Sequence, residues 1–251
     1  MILAGIPVLD IVVFSVAVFT AAFVTGVAGF AFGLVAAAIW LHVLTPAQSA
    51  VLSAAYAIIV QGYASWKVRR AIRWKRLLPM LIGGLIGIPF GIEVLRVAPA
   101  NSIRIGVGVF LVAFCLYNLL KPKMPQYAGE RPIADGAVGV ASGVLSGAIG
   151  LAGILPAIWS TMRGWPRDEQ RAVFQPTSVL IFIATSAWFG GTGTIDMPTI
   201  RFFVIGLPTL ALGTWVGLTL YGRLDEAGFR KIVLSVLLVA GIALVVPAAN
   251  R

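Results

Sequence analysis

Hydrophobic residues occur along this chain in long runs that contain no Asp, Glu, Lys or Arg. These runs cover residues 11–66, 105–120, 136–162, 172–195, 202–222 and 232–250. A helix needs about 20 predominantly apolar residues to cross a bilayer. Membrane-spanning barrel strands would instead show short segments of alternating hydrophobicity. The pattern therefore predicts an all-α integral membrane protein.

Two of the apolar runs are interrupted by residues that weaken or break helices. Residues 150–159 read "GLAGILPAIW", and residues 29–40 read "GFAFGLVAAAIW", with glycines before the same Ala-Ile-Trp ending. Gly and Pro are the least favourable residues inside a helix. Residues 8–44 are too long for one span at about 1.5 Å per residue, but they fit two helices that meet near residues 26–33. We therefore predict a broken or re-entrant first helix in each segment.

The chain also contains an internal repeat. The sequence "GIPFGIEVLRVAPANSIR" at 87–104 aligns with "GTWVGLTLYGRLDEAGFR" at 213–230, with two glycines and the final Arg in register. Self-similarity of this kind predicts two related units, residues 1–125 and 126–251, within one membrane domain. Each unit reads as an interrupted segment followed by three spans. The predicted spans are 46–65, 77–96 and 103–120 in the first unit, and 170–189, 199–221 and 229–247 in the second.

Basic residues in the loops predict the relative orientation of the two units. If each interrupted segment returns to the side from which it entered, loops 67–76, 121–131, 163–171 and 223–231 all face the cytoplasm. These loops hold 6, 3, 3 and 3 basic residues, so 15 of the 19 Lys and Arg are cytoplasmic and 4 are not. A single crossing by each interrupted segment would give only 11 to 8. The positive-inside rule therefore favours inverted-topology repeats.

Composition supports this membrane assignment. Hydrophobic residues make up 59% of the chain and charged residues only 11%, whereas soluble domains carry roughly 25% charged residues. The net charge of +10 arises from basic residues confined to short gaps between apolar runs. We attribute it to the positive-inside bias rather than to nucleic-acid binding. The lipid bilayer is therefore an expected partner, and nucleic acid is not.

Inverted repeats with broken helices are the plan of many secondary transporters, whose substrate sites lie near the membrane midplane at the repeat interface. At a helix break, the new N-terminus presents unpaired amides and a partial positive charge, which suit an anion. The glycine candidates for such a site are Gly29, Gly33, Gly150 and Gly153. The alternative is that these small residues only allow close helix packing.

A second set of candidates lies in the first full span of each unit. The stretch "QPTS" places Gln175, Pro176, Thr177 and Ser178 inside an apolar helix, and Ser53 occupies the related position in the first unit. Pro176 frees a backbone carbonyl beside three polar side chains. These groups either line a path for the solute or bond to neighbouring helices. Gln61 and Tyr56 are further candidates.

Several kinds of chemistry lack the residues they need. All nine acidic residues lie at or near span ends, which gives a relay of buried carboxylates little support. The single histidine, His42, is expected at a membrane interface, and the single cysteine, Cys115, is expected to pack in an apolar span. The sequence offers no metal-ligand cluster, phosphate loop or nucleophile–base pair. We expect neither an enzyme nor a cofactor or metal site.

Three stretches resemble the TauE/SafE sulfite exporter family of small bacterial and archaeal anion permeases. They are "GAIGLAGILPAIW" at 147–159, "QPTSVL" at 175–180 and the basic loop ending "RAIRW" at 70–74. The similarity extends over nearly the whole chain. It implies a multi-pass transporter in the plasma membrane of a prokaryote that moves sulfite, sulfoacetate or related sulfur-containing or organic anions. Association into a homo-oligomer is left open.

The two units differ at positions that matter to this resemblance. The first unit has Ala37 or Ala38 where the second has Pro156, and Leu52-Ser53 where the second has Thr177-Ser178. The units are therefore expected to contribute unequally to the site. Two rival hypotheses remain, a membrane scaffold whose glycines only pack helices and an anion channel.

Overall fold

The computed structural model describes residues 2–3, 6–28, 31–120, 127, 129–220 and 226–249. These residues are almost entirely helical, which confirms the predicted all-α membrane protein. In the predicted first unit the helices are α1 Val8–Ala28, α2 Phe32–Trp40, α3 Pro46–Val68, α4 Trp74–Val97 and α5 Ala100–Leu120. In the predicted second unit they are α6 Pro132–Ile149, α7 Ile154–Met162, α8 Arg167–Gly191, α9 Met197–Leu220 and α10 Glu226–Ala249. Two short antiparallel strands, β1 Ile2–Leu3 and β2 Ile6–Pro7, precede α1.

Among the described residues, six helices are long and apolar enough to cross a membrane. They contain Leu9–Val27, Trp74–Val97, Ala100–Leu120, Pro132–Ile149, Glu169–Gly191 and Met197–Leu220. A shorter apolar stretch, Val233–Val246, lies in α10. Helix α3 is less apolar, and its residues from Ala50 to Ala54 are all buried. It is therefore an interior helix that carries polar side chains.

The first interrupted segment is a hairpin of one long helix and one short helix. Helix α2 has 9 residues, or about 14 Å, which is too short to cross a bilayer. The end of α2 lies back beside α1, since the rings of Phe14 and Trp40 stack with centroids 5.1 Å apart. The Trp40 indole N–H also donates to the Phe14 carbonyl at 3.5 Å. The chain therefore turns back between the two helices.

The second interrupted segment has the same design. Helix α7 also has 9 residues, and the Trp159 indole N–H donates to the Asp135 carboxylate on α6 at 2.6 Å. The Tyr127 amide, just before α6, donates to the Met162 carbonyl at the end of α7 at 2.9 Å. Both ends of the α6–α7 hairpin therefore lie together. The half-length α7 is too short to cross a bilayer by itself.

A left-handed residue stands at the equivalent position in each hairpin. Ala31 has φ 88° and Gly150 has φ 73°, and each lies seven residues before the Ala of the Ala-Ile-Trp ending. Ala31 is the one non-glycine residue with positive φ in the described part of the chain. The same backbone break is therefore built twice, once with the residue that adopts it at least cost and once with alanine.

The long helices pack through glycines. Cβ atoms placed at Gly83, Gly87 and Gly91 of α4 would fall on backbone carbonyls of Gly136, Val140 and Val144 of α6. The matching order of residue numbers shows that α4 and α6 run in the same direction. Helices α1 and α9 also run in the same direction, because the glycines Gly206, Gly213 and Gly217 of α9 meet Phe14, Phe19 and Phe23 in that order. The first helix of each unit therefore packs on the fourth helix of the other unit.

Polar contacts join helix ends at two opposite faces of the bundle. At one face, Arg73 Nε lies 2.8 Å from Glu169 Oε1, and Arg76 pairs with the same carboxylate, which links the starts of α4 and α8. At the other face, the Asp196 carboxylate before α9 accepts hydrogen bonds from Thr199 and from Gln48 of α3. We call these the basic face and the opposite face.

Candidate functional site

The break between α6 and α7 is organised by Gly150 and Gly153. Gly150 caps α6, since its amide donates to the Ser146 carbonyl at 2.9 Å and the Leu151 amide donates to the Leu145 carbonyl at 3.2 Å. Helix α7 then starts at Ile154, and no side chain caps it. The first amides of a helix have no acceptor within that helix. The N-terminus of α7 therefore presents donors in the interior of the bundle.

The two hairpins meet at this break. A Cβ placed at Gly33, in the first turn of α2, would lie 2.6 Å from the Gly150 carbonyl oxygen and 2.5 Å from a methyl of Leu151. Only a residue without a side chain allows this approach. Gly33 and Gly150 are therefore close in space although they belong to different units. Gly29, the remaining glycine candidate, lies outside the described residues.

Helices α3 and α8 place polar side chains against the same break. A Cβ at Gly150 would lie 2.6 Å from the Cβ of Ser53 and 2.9 Å from the Ala50 carbonyl oxygen. A Cβ at Gly153 would lie 3.2 Å from Ser178 Oγ and 3.7 Å from Gln61 Oε1. Ser53 and Ser178 are fully buried, and Gln61 is 2% exposed. The fold thus brings two glycine candidates and two serine candidates to one place.

Two polar atoms in this cluster have no partner. Ser53 Oγ and Gln61 Oε1 are buried and make no hydrogen bond within the described part of the protein. Leaving such groups unpaired costs about 1–3 kcal/mol each. Native proteins usually satisfy buried polar groups, so unpaired ones at a helix break indicate a place for a ligand or water.

The site residues predicted on α8 are buried, and the hydroxyls among them form hydrogen bonds within α8. The hydroxyl of Thr177 donates to the Val173 carbonyl at 2.8 Å, and that of Ser178 donates to the Phe174 carbonyl at 2.6 Å. Gln175 is 3% exposed, and Pro176 lies inside the helix. The two hydroxyls can therefore offer lone pairs, whereas their protons point along α8.

Sequence reasoning missed a polar group on α6. Ser142 and Ser146 are fully buried. Ser142 bonds to the Ala152 carbonyl in the break, and Ser146 shares a 2.8 Å hydrogen bond with Thr185 of α8. Their spacing of four residues, which places them on one face of a helix, was the available signal. These bonds hold the break between α6 and α8.

Tyr56 does not belong to the polar cluster at the break. Its hydroxyl lies 3.0 Å from the Phe202 carbonyl oxygen and 2.8 Å from that of Phe203, on α9. Its ring stacks on Phe203 with centroids 5.1 Å apart. Tyr56 therefore joins α3 to α9. His42 lies in the turn after α2 and is exposed.

Charged side chains lie away from the break. Asp135 is 4% exposed and Arg163 is 7% exposed, but both stand at the ends of the α6–α7 hairpin, at the basic face. Among the described residues, no group of three His, Cys, Asp or Glu side chains could hold a metal ion. The site therefore offers hydroxyls, an amide and backbone N–H groups for binding a ligand.

A family model described as "Sulfite exporter TauE/SafE" matches residues 14–244. The match spans both hairpins and all the described residues of the site. No curated protein and no solved structure matches the chain.

Proposed function

Because the chain belongs to the sulfite exporter TauE/SafE family, we propose that it is a secondary transporter that exports small sulfur-containing or organic anions such as sulfite or sulfoacetate. The observation that carries this proposal is a pair of unpaired buried polar atoms along the α6–α7 break, the hydroxyl of Ser53, whose Cβ lies against Gly150, and Gln61 Oε1, which lies beside Gly153. Hydroxyl and helix N-terminal donors bind anions without a fixed positive charge.

The arrangement of the helices supports alternating access between two inverted repeats. Helix α1 packs on α9 in the same way as α6 packs on α4, so each contact joins the first helix of one unit to the fourth helix of the other. The site lies where the hairpins of both units meet. Sites at such interfaces are exposed alternately when one repeat rocks against the other. We propose that residues 1–125 and 126–251 are these repeats and that the basic face is cytoplasmic.

Membrane potential can drive export of a singly charged anion. With the interior negative by about 100 mV, moving one negative charge outward releases roughly 2.3 kcal/mol, which supports a gradient of about fiftyfold. Basic residues at the cytoplasmic mouth would also raise the local concentration of anions. The proposed location is the plasma membrane of a prokaryote.

Purified protein in liposomes tests this function. Vesicles are loaded with labelled sulfite, and a potassium gradient with valinomycin sets the potential. Efflux should accelerate when the loaded side is negative, slow when the sign is reversed, and saturate with substrate. Linear, non-saturating flux would indicate a channel, and no flux above protein-free vesicles would favour a scaffold.

Proton coupling is the alternative that the same vesicles can detect. Asp135 is the buried acidic residue of the described part of the chain, and it lies at the hairpin end rather than at the site. Proton coupling predicts a flux that is independent of the potential and dependent on a proton gradient, and Asp135→Asn should remove that dependence. These results together would contradict the uncoupled mechanism. Glu93→Gln, an exposed acid on α4, is the matched control.

A further inference from the structure

Two hydrogen-bond acceptors lie beside Gly153. An atom placed at the Cβ position of Gly153 would lie 3.2 Å from Ser178 Oγ and 3.7 Å from Gln61 Oε1. Ser178 is fully buried, and Gln61 is 2% exposed. A ligand that approaches Gly153 would therefore have to suit both oxygens.

Neither oxygen receives a proton within the described structure. The Ser178 hydroxyl donates to the Phe174 carbonyl at 2.6 Å, so only its lone pairs remain for a ligand. Ser178 Oγ therefore remains an acceptor whichever way the Gln61 amide is oriented. Gln61 Oε1 has no hydrogen-bond partner. A ligand at this point needs a donor, because buried acceptors left unpaired are costly.

The remaining groups of the site supply donors. Ser53 Oγ is unpaired, and the Ser53 Cβ lies 2.6 Å from the Cβ position of Gly150. The first amides of α7 lack acceptors within their helix. A fully deprotonated oxoanion would satisfy these donors but would place its own lone pairs against Ser178 and Gln61. Its second negative charge would also be removed from water where no charged side chain of the described residues compensates it.

We infer that the site binds a singly protonated monoanion, whose one O–H proton is shared between Gln61 Oε1 and Ser178 Oγ in a three-centre hydrogen bond while its charged oxygens face Ser53 and the start of α7. For sulfite, the transported species is hydrogensulfite rather than the dianion. This inference rests on the proposed transport function and specifies the protonation state of its substrate. It also makes transport carry one negative charge per substrate.

Two anions separate this inference from the function on which it rests. Sulfite changes from monoanion to dianion as the pH rises, whereas methanesulfonate is a permanent monoanion that has no O–H group. Flux is measured in liposomes with equal pH on both sides and a clamped potential. Above the second dissociation of sulfite, its flux should fall about tenfold per pH unit, and methanesulfonate flux should be low and independent of pH.

Titration of the protein itself is the main confounding effect. Several titratable or charged groups on the helices around the site have side chains that the structure describes. They are Tyr56, Tyr63, Asp135, Glu169, Arg171 and Arg201, together with Arg163 just after α7. Methanesulfonate reports their contribution, because it does not titrate in this range. A pH dependence shared by both anions would therefore assign the effect to the protein and overturn the inference.

Variants of the two acceptors complete the test. Gln61→Leu and Ser178→Ala should each lower the ratio of sulfite flux to methanesulfonate flux at least tenfold. The control is Thr209→Ala on α9, whose hydroxyl also donates to a carbonyl of its own helix, that of Gly206 at 2.9 Å, and it should keep the parental ratio. Thermal unfolding in detergent verifies that each variant is folded.

The possible failures have different meanings. Sulfite flux that stays constant or rises with pH would overturn the inference and leave the transport function standing. An unchanged flux ratio in both acceptor variants would also overturn the inference, because it would indicate that water, rather than the substrate, lies beside Gly153. Absence of transport for both anions at every pH would contradict the proposed function itself.

Discussion

Ser53 is the residue whose hydroxyl is best placed to donate to a substrate, because its buried oxygen has no partner in the described structure. Ser53→Ala should weaken sulfite binding by roughly 10- to 100-fold, since charge-assisted hydrogen bonds contribute about 1.5–3 kcal/mol. Thr177→Ala should have a smaller effect, because the Thr177 hydroxyl donates to Val173. The dependence of flux on sulfite concentration measures the loss of binding in each variant. Equal losses would place the substrate nearer α8 than we propose.

Asp196 should make stability depend on pH at the opposite face. Burial opposes ionisation, but hydrogen bonds from Thr199 and Gln48 outweigh it and lower the pKa of Asp196 below its ordinary value of 3.8. A lowered folded-state pKa contributes stability above the unfolded value, and this stability is lost as the pH falls through the folded value. Thermal unfolding in detergent should therefore show an Asp196 contribution that fades below about pH 4.

Two substitutions separate the charge of Asp196 from its role as the N-cap of α9. Asp196→Ala should cost about 1 kcal/mol at neutral pH, because the bond from the Thr199 amide at 2.9 Å is lost. Asn is also a good N-cap, so Asp196→Asn should keep most of the stability and remove this part of its acid dependence. An acid transition identical in parent and Asp196→Asn would assign that transition to other groups.

At the scale of helices, the α4–α6 contact depends on backbone approaching backbone. A methyl group at Gly87 would fall on the Val140 carbonyl, and neither backbone can yield without separating the helices. Gly87→Ala should therefore destabilise the protein by more than the usual 1–3 kcal/mol of overpacking. Yield and thermal unfolding in detergent measure this loss. Gly106→Ala on α5 is the control, because a Cβ there has no neighbour within 4 Å, and it should behave like the parent.

The break before α7 should be equally intolerant of side chains. Gly150 has φ 73°, and a Cβ there would approach Ser53 and the Ala50 carbonyl oxygen. Gly150→Ala should therefore reduce transport by moving α3 away from the break, with a further cost from the left-handed backbone. Flux per folded molecule, compared with Gly62→Ala on α3, measures this effect. Normal flux in Gly150→Ala would mean that the contact is not part of the site.

At the scale of the whole molecule, the two units should enter the membrane from opposite sides. If the basic face is cytoplasmic, as the 15 to 4 distribution of basic residues favours, we expect both chain ends of this sequence on the non-cytoplasmic side. A reporter fused after Arg251 that is active only in the cytoplasm should be silent, and the same reporter inserted after Arg70 should be active. An active reporter after Arg251 would contradict the inverted orientation.

Much of the architecture could be predicted because membrane spans follow from local composition. The predicted span 77–96 corresponds to α4 at Trp74–Val97, and 199–221 corresponds to α9 at Met197–Leu220. The interruption near residue 150 was also predictable, since glycine and proline disfavour helix wherever they stand. The candidate serines could be named because polar groups are rare in apolar spans.

The sequence by itself thus determined a helical membrane protein with two interrupted segments, because hydrophobicity and helix propensity are properties of short stretches of chain. Only the tertiary structure decided that α7 is a half-length returning helix, that Gly33 meets Gly150, and that Gln61 joins Ser178 beside Gly153. These contacts link residues far apart in the chain. They depend on how helices pack through glycines and on which buried polar atoms the packing leaves unpaired, and no local pattern encodes either.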